Sequence, residues 1–139
     1  MAMSESLANS ILNTNLSTAA RWMWLHTGDP GAAGTAAPTL STVDTTSPRV
    51  SITFGAPAND TGFVSEQGRK VVSNSTGVWT ATEMAPDQAI KYFSLWTSSA
   101  AGSVLFISAV ETSKLTGADG VKVASGDITA AIEIFKKSA

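Results

Sequence analysis

The sequence predicts an all-β protein, a single β-sandwich of jelly-roll type with about eight strands, preceded by one N-terminal α-helix. Short stretches of alternating apolar and polar residues recur along most of the chain. Clusters of Gly, Asn, Asp, Ser and Pro, which favour turns, separate these stretches. Helical spacing is confined to the start of the chain, so we expect a helical docking segment over residues 1–20 and a β-sandwich domain over residues 21–139.

The predicted helix extends over residues 4–20. Ser4 is placed to cap its N-terminus, and Glu5 lies in the first turn, where a negative charge interacts favourably with the helix dipole. Apolar residues at spacings of one, three and four form one stripe, which either the domain's own core or a neighbouring subunit must cover. We take as a candidate assembly interface the larger members of this stripe, Leu7, Ile11, Leu12 and Leu16. The opposite side of the helix carries Asn9, Asn13, Thr14 and Ser17.

The first predicted strand, Arg21–His26, ends in the turn signal Gly28-Asp29-Pro30-Gly31. A loop then continues to about Ser47. A loop of this length is uncommon in a compact domain and is often functional or docked on a partner. In the next strand, Arg49–Phe54, the apolar residues alternate with polar ones and should therefore share one face.

The second half of the chain predicts further strands. Arg69–Ser73 and Val78–Thr82 flank the turn residues Asn74–Gly77, which indicates a hairpin. Ala89–Thr97 is apolar and aromatic on both faces, as is typical of a central strand covered on both sides. The remaining predicted strands are Val104–Val110, Lys114–Thr116, Val121–Val123 and Ile128–Lys136.

Composition limits the classes of function. The 139 residues include no Cys, and charged residues make up only 14% with a net charge of −2. Without Cys there is no disulfide, thiol nucleophile or thiolate metal site. A near-neutral chain whose tail carries the basic pair Lys136-Lys137 lacks the larger clusters of cations that nucleic acid requires. No apolar run is long enough to span a membrane, and no signal peptide is evident.

Catalytic chemistry has little support in the sequence. His26 is the sole histidine, so one chain cannot build a His-based metal site. A Ser–His–Asp site with the nearby Asp29 is formally possible, but the nucleophile motif Gly-x-Ser-x-Gly is absent. We expect His26 instead to hydrogen-bond the loop that follows it. Five aspartates lie in predicted loops, where turn formation explains them better than glycoside hydrolysis or calcium binding: Asp29, Asp44, Asp60, Asp119 and Asp127.

The role of the tryptophans has three possible interpretations. Trp79 and Trp96 lie in predicted strands, where packing in the core is favoured. The alternatives are a contact between subunits and an aromatic surface that binds sugar. The sequence thus predicts no catalytic, metal or cofactor-binding residue and no cofactor, and the protein is predicted not to be an enzyme.

Several segments together resemble one family. Leu25–Gly31 reads LHTGDPG, and it is followed in order by Arg49–Phe54, the aromatic segment Ile90–Trp96, the small-residue turn Ser98–Gly102 and the closing segment Ser125–Ile134. In order and spacing these segments resemble small structural proteins of tailed-bacteriophage virions, described variously as tail, fibre or head accessory proteins. The resemblance implies a non-enzymatic virion component, made in the cytoplasm of the bacterial host.

Within this class the sequence leads us to expect a capsid-surface accessory (decoration) subunit. The alternatives are a tail or tail-fibre subunit, and a β-sandwich module that binds carbohydrate or a receptor. The expected partners are other virion proteins and further copies of the chain in a homo-oligomer, with a host-surface glycan as an additional candidate and neither nucleic acid nor membrane.

Overall fold

The computed structural model describes residues 3–32, 49–60, 68–80, 89–115 and 120–133. These contain one α-helix, α1 (Glu5–Leu12), which continues as a π-helical segment (Asn13–Ser17). The strands of the described residues are β1 (Arg21–His26), β2 (Arg49–Ile52), β3 (Ala58–Asn59), β4 (Gly68–Val72), β5 (Gly77–Trp79), β6 (Ala89–Trp96), β7 (Val104–Leu115), β8 (Val121–Val123) and β9 (Thr129–Glu133). All their pairings are antiparallel, so the predicted all-β class with one N-terminal helix is confirmed.

The N-terminus of α1 forms as predicted. Ser4 has an extended backbone and its hydroxyl accepts a hydrogen bond from the Leu7 amide at 3.1 Å. This bond satisfies one of the main-chain N–H groups that have no partner within the first turn of a helix. Glu5 lies in that first turn, as the sequence indicates.

The regular α-helix ends earlier than predicted. From Asn13 to Ser17 the chain is π-helical, and the Thr18 amide donates to the carbonyl of Asn13 at 3.1 Å. The side chain of Asn15 donates to the carbonyl of Ile11 at 2.7 Å, four residues back. Side chains that bond to nearby carbonyls compete with the regular ladder of main-chain hydrogen bonds, which explains why this polar stretch leaves the α-helical pattern.

The chain divides into two compact units. The helix unit consists of Met1–Ala20, Thr53–Ser75 and Ala124–Ala139, and the sheet unit consists of Arg21–Ile52 and Thr76–Val123. This division places residues 1–20 in one unit with β3, β4 and β9.

In the helix unit, the three-stranded sheet has the order β3-β4-β9. The register of β4 against β9 runs from Gly68 opposite Glu133 to Val72 opposite Thr129. Buried apolar residues of this unit come from the helix, from the strands and from their connections: Ala8, Leu12, Leu16, Phe54, Val71 and Ile128.

The hairpin predicted around Asn74–Gly77 is wrong, because β4 and β5 belong to different sheets. Asn74 and Ser75 are instead bonded to Thr53. The Asn74 amide donates to the Thr53 carbonyl at 3.0 Å, and the Thr53 amide donates to the Ser75 hydroxyl at 2.9 Å. The chain bends at Ser75, and β5 begins at Gly77. β4 pairs with β9 and β5 pairs with β8, and both partners lie far along the chain.

In the sheet unit, the larger sheet has the order β2-β1-β6-β7, and β5 pairs with β8 in a two-stranded ladder. The bounds of β1 agree with the prediction, and β6 has β1 on one side and β7 on the other, so its predicted central position is confirmed. The piece predicted at Val104–Val110 and the first two residues of the piece predicted at Lys114–Thr116 belong to a single long strand, β7, and Thr116 lies outside the described residues.

The four-stranded sheet has two different faces. The register places Met23 opposite both Val50 and Leu95, and the buried apolar residues of this face are Met23, Leu25, Ile52 and Leu95. On the other face, Trp24 lies opposite both Arg49 and Ser94. One face therefore has an apolar centre, and the other combines aromatic rings with polar groups.

The turn between β6 and β7 depends on Gly102. Its φ of +83° is unfavourable for other residues, and a Cβ there would lie 2.2 Å from the Thr97 hydroxyl oxygen. That oxygen accepts a hydrogen bond from the Ser103 amide at 3.0 Å, while the Thr97 amide donates to the Ser103 carbonyl at 3.1 Å. Glycine thus allows the chain to reverse while both bonds are kept.

Candidate functional site

The candidate assembly residues on the helix do not share one environment. Leu12 and Leu16 are buried, with 1% and 0% of their surfaces exposed. Ile11 is half-buried, whereas Leu7 is 51% exposed. The chain's own fold thus covers the C-terminal part of the stripe and leaves Leu7 and the edge of Ile11 accessible.

The helix therefore presents three sides. Ala8 and Leu12 form the buried side, and Leu7 and Ile11 form an exposed apolar side. The spacing of 3.6 residues per turn places a third side between these two, and it carries only uncharged polar residues. Its members are Ser6, Asn9, Ser10 and Asn13.

Arg69 on β4 connects the sheet of the helix unit to the polar side of the helix. Its Nε donates to the Asn9 side-chain oxygen at 2.5 Å, and one terminal nitrogen lies 3.5 Å from a Glu5 carboxylate oxygen. The guanidinium also donates to the Asn59 side-chain oxygen and, at 3.3 Å, to the Pro57 carbonyl. A planar group with five N–H donors suits such a junction, because one side chain can hold several acceptors at once.

His26 does not bond to the loop that follows it, so that expectation is wrong. Its Nε2 lies 2.7 Å from the hydroxyl oxygen of Ser94 on the neighbouring strand β6. The same oxygen accepts a hydrogen bond from the Trp96 indole at 2.8 Å. The Ser94 hydroxyl is thus free to donate to His26, which places the ring proton of a neutral histidine on Nδ1.

The surroundings of His26 favour its neutral form. The pKa of His26 is lowered from 6.5 to about 4, first by burial and then by the positive charge of Arg49, while the charge of Asp29 acts in the opposite direction. An imidazole removed from water loses the solvation of its charged form, which accounts for the direction of the largest effect. His26 is therefore uncharged at neutral pH.

The pair Ser94 and His26 has the spacing of a serine nucleophile and its base, but not the accessibility. Both side chains are fully buried. Within the described part of the chain no group hydrogen-bonds to His26 Nδ1, the position that a carboxylate occupies in a catalytic triad. The bond between the two side chains therefore serves to tie β1 to β6.

Arg49 forms the centre of the polar and aromatic face of the four-stranded sheet. Its guanidinium carbon lies 3.9 Å from the ring centroid of Trp96 and 4.7 Å from that of Trp24. One terminal nitrogen donates to the carbonyls of Ser98 at 2.9 Å and of Ala101 at 2.8 Å. The cation thus lies against two aromatic faces and holds the β6–β7 turn, while burial lowers its pKa.

Sequence reasoning did not identify Arg49 as a central residue. An arginine at the start of a strand is normally exposed, yet only 8% of Arg49 remains accessible. The favoured reading of the tryptophans is confirmed, since Trp79 and Trp96 are 0% and 5% exposed and lie in the core.

The described aspartates have structural partners of the kind that turns require. Asp29 accepts a hydrogen bond from the Gly31 amide at 2.9 Å, and Asp127 accepts one from the Ala124 amide at 2.9 Å. Asp60 lies 3.8 Å from the Lys70 amine. Asp44 and Asp119 lie outside the described residues.

The described ranges of the chain contain no group of three or more His, Cys, Asp or Glu side chains that could hold a metal ion. They also contain no helix with the length and apolar character needed to cross a membrane.

Comparison with known proteins gives the family. A search of curated proteins finds no match to the chain. A family model described as Podophage GP4 fiber I protein gp80 matches residues 2–131, which covers the helix and every described strand except the end of β9. This match supports the coarser part of the resemblance, to structural proteins of phage virions. The chain therefore belongs to the family of the podophage GP4 fiber I protein gp80, a family of bacteriophage structural proteins.

Proposed function

We propose that this protein is a structural subunit of the tail or fibre of a podophage virion. The observation that carries the proposal is the match of a fibre family over residues 2–131. This match favours the tail or fibre alternative over the capsid-surface decoration subunit expected from the sequence. Its partners are then other virion proteins and further copies of itself. A net charge of −2 and the 14% of charged residues fit a protein surface better than nucleic acid as the partner.

The proposed docking contact is the exposed apolar side of α1, formed by Leu7 and Ile11. Leu7 is one of two large apolar residues that are exposed in the described part of the chain, and Val78 on β5 is the other. A leucine that moves from water into an interface contributes about 1.5–3 kcal/mol. Because Leu12 and Leu16 are already covered by the fold, they contribute stability to the subunit and not a surface for its neighbour.

Changing Leu7→Asp should lower incorporation into virions about tenfold or more, because the contact would lose a buried leucine and gain an unpaired charge. The variant should still fold, since half of this side chain is exposed in the isolated subunit. The measurement is the amount of subunit per purified particle, after complementation of a phage that lacks the gene. Circular dichroism of the purified variant reports folding.

Val78→Asp is the matched control, because Val78 is 50% exposed and Leu7 is 51% exposed. The control should enter particles at the wild-type level. Equal incorporation of the two variants would show that the Leu7 side is not the docking contact.

Self-association is proposed to use strand β7. It lies at the end of the sheet order β2-β1-β6-β7, and it pairs with no strand on its outer side within the described residues. Ser108, Ala109 and Glu111 are exposed along it. A long strand with a free edge offers main-chain hydrogen bonds to another chain, and most proteins protect such edges. In the homo-oligomer, β7 of a second copy would pair with these main-chain groups.

Ala109→Lys should convert the proposed homo-oligomer into a monomer, because a lysine on an edge strand opposes pairing with another strand. Analytical ultracentrifugation of the full chain measures this change. Val78→Lys carries the same charge on another exposed strand position and should leave the oligomer intact. A wild-type chain that sediments as a monomer at all concentrations would contradict self-association, without affecting the docking contact at Leu7.

A further inference from the structure

An open groove lies along the uncharged polar side of α1. Its volume is about 390 Å³, and it is lined by Ser6, Asn9, Ser10, Asn13 and Pro57. The first four residues follow one another at helical spacings of three and one, so each presents its side chain to the same groove. Pro57 closes the groove from the segment that leads into β3. All five residues belong to the helix unit.

The polar groups of this groove have most of their hydrogen-bonding capacity unused. Among the described residues, the side chains of Ser6, Ser10 and Asn13 have no hydrogen-bond partner. Asn9 accepts from Arg69 through its side-chain oxygen, which leaves the two N–H donors of its amide. Hydroxyl and amide side chains both donate and accept, so the groove can satisfy a ligand rich in hydroxyl groups.

The groove is held in place by the surrounding structure. Arg69 fixes Asn9 through a bond of 2.5 Å, and Ser4 caps the helix turn from which Ser6 projects. At the other end, Asn13 is the first residue of the π-helical segment. Single π-helical turns within helices are frequent at functional sites, and here the segment begins within the groove. A site whose residues are fixed in advance loses less entropy when it binds.

The groove is also electrically neutral. None of the residues that line it is titratable, and Arg69, which bonds to Asn9, is itself paired with Glu5 at 3.5 Å. A charged ligand would find no opposite charge to compensate its loss of hydration. The chemistry therefore favours an uncharged partner.

We propose that this groove binds a neutral saccharide. Sugar hydroxyls match the free donors and acceptors of Asn9, Asn13 and the two serines, and Pro57 offers an apolar surface for ring carbons. A volume of about 390 Å³ lies at the lower end of the range for ligand pockets, which suits one or two sugar rings. The proposal is independent of the proposed fibre function, since it concerns a different side of the helix from the docking contact.

The test is a nuclear magnetic resonance titration of the isotope-labelled full chain with maltose and with N,N′-diacetylchitobiose. At least one of the two should shift the side-chain amide signals of Asn9 and Asn13 with a millimolar Kd. Asn9→Ala and Asn13→Ala should each weaken binding about tenfold, which corresponds to about 1.4 kcal/mol. Because no charge takes part, the Kd should be the same at low and high salt. Leu7→Ala is the control on the same helix and should bind as the wild type does.

Three results would overturn the proposal. The first is that neither sugar shifts these signals. The second is a shift that survives in both Asn variants, since binding would then occur elsewhere. The third is a loss of particle incorporation in Asn9→Ala or Asn13→Ala, which would identify the groove as a contact for another virion protein. Failure of the docking proposal gives a different pattern, in which Leu7→Asp enters particles normally.

Discussion

Replacing Trp96 by alanine is expected to lower the free energy of unfolding by about 3–5 kcal/mol. Only 5% of this side chain is exposed. The indole donates to Ser94 at 2.8 Å, and the ring lies 3.9 Å from the Arg49 guanidinium carbon. The variant would leave a cavity, remove one hydrogen bond and deprive a buried cation of an aromatic face. That loss is a large part of the roughly 5–15 kcal/mol typical of a whole domain.

Denaturant unfolding of the isolated chain measures this effect. Trp96→Phe keeps an aromatic ring next to Arg49 but lacks the indole N–H, so it should lose less than half as much. A loss in the isolated chain and in assembled particles agrees with the core position seen in the structure. If Trp96→Ala were destabilising only in particles, the residue would instead act at a contact between subunits.

Acidification is expected to destabilise the fold through His26. The unfolded chain takes up this proton near the ordinary pKa of 6.5, whereas the folded chain takes it up only near 4. Between these values the unfolded state binds more protons, so the free energy of unfolding falls as the pH falls. The effect is absent above about pH 7 and complete below about pH 4, where it amounts to about 3 kcal/mol.

His26→Gln isolates this contribution, because glutamine does not titrate and its amide can still hydrogen-bond Ser94. Carboxyl groups also take up protons at low pH, so the quantity to measure is the difference between the pH dependence of the wild type and that of the variant. That difference should grow as the pH falls from 7 to 4. Parallel stability curves over this range would show that His26 is protonated equally in the folded and unfolded chain.

Sequence patterns predicted correctly those secondary-structure elements that a few neighbouring residues determine. β1 has the predicted bounds, β6 begins as predicted and ends one residue before the predicted Thr97, and the Ser4 cap forms at the predicted position. In each case a few adjacent residues determine the outcome, through burial of both faces of a strand or through one side-chain bond at a helix end. The central position of β6 could be predicted because its sequence has no hydrophilic face.

Pairing across the chain could not be predicted in the same way. The residues of Asn74–Gly77 favour a turn, but nothing within them identifies β9 as the neighbour of β4. The π-helical segment depends on side-chain bonds such as that of Asn15 to Ile11, which have no distinct sequence pattern. The helical spacing of the candidate assembly residues predicted an apolar side of the helix. It could not predict that Leu12 is buried and Leu7 is exposed.

The bond between His26 and Ser94 has a consequence for the speed of folding. It joins residues 68 positions apart, and the bond between Ser73 and the Ile128 amide joins residues 55 positions apart. Chains dominated by such distant contacts fold slowly, because long loops must close before any contact forms. On the ribosome, β1 can pair with β2 and β4 with β3, but the second edge of β1 must wait for β6 and that of β4 must wait for β9. Chaperone demand during virion production should therefore increase with the time for which these second edges remain free.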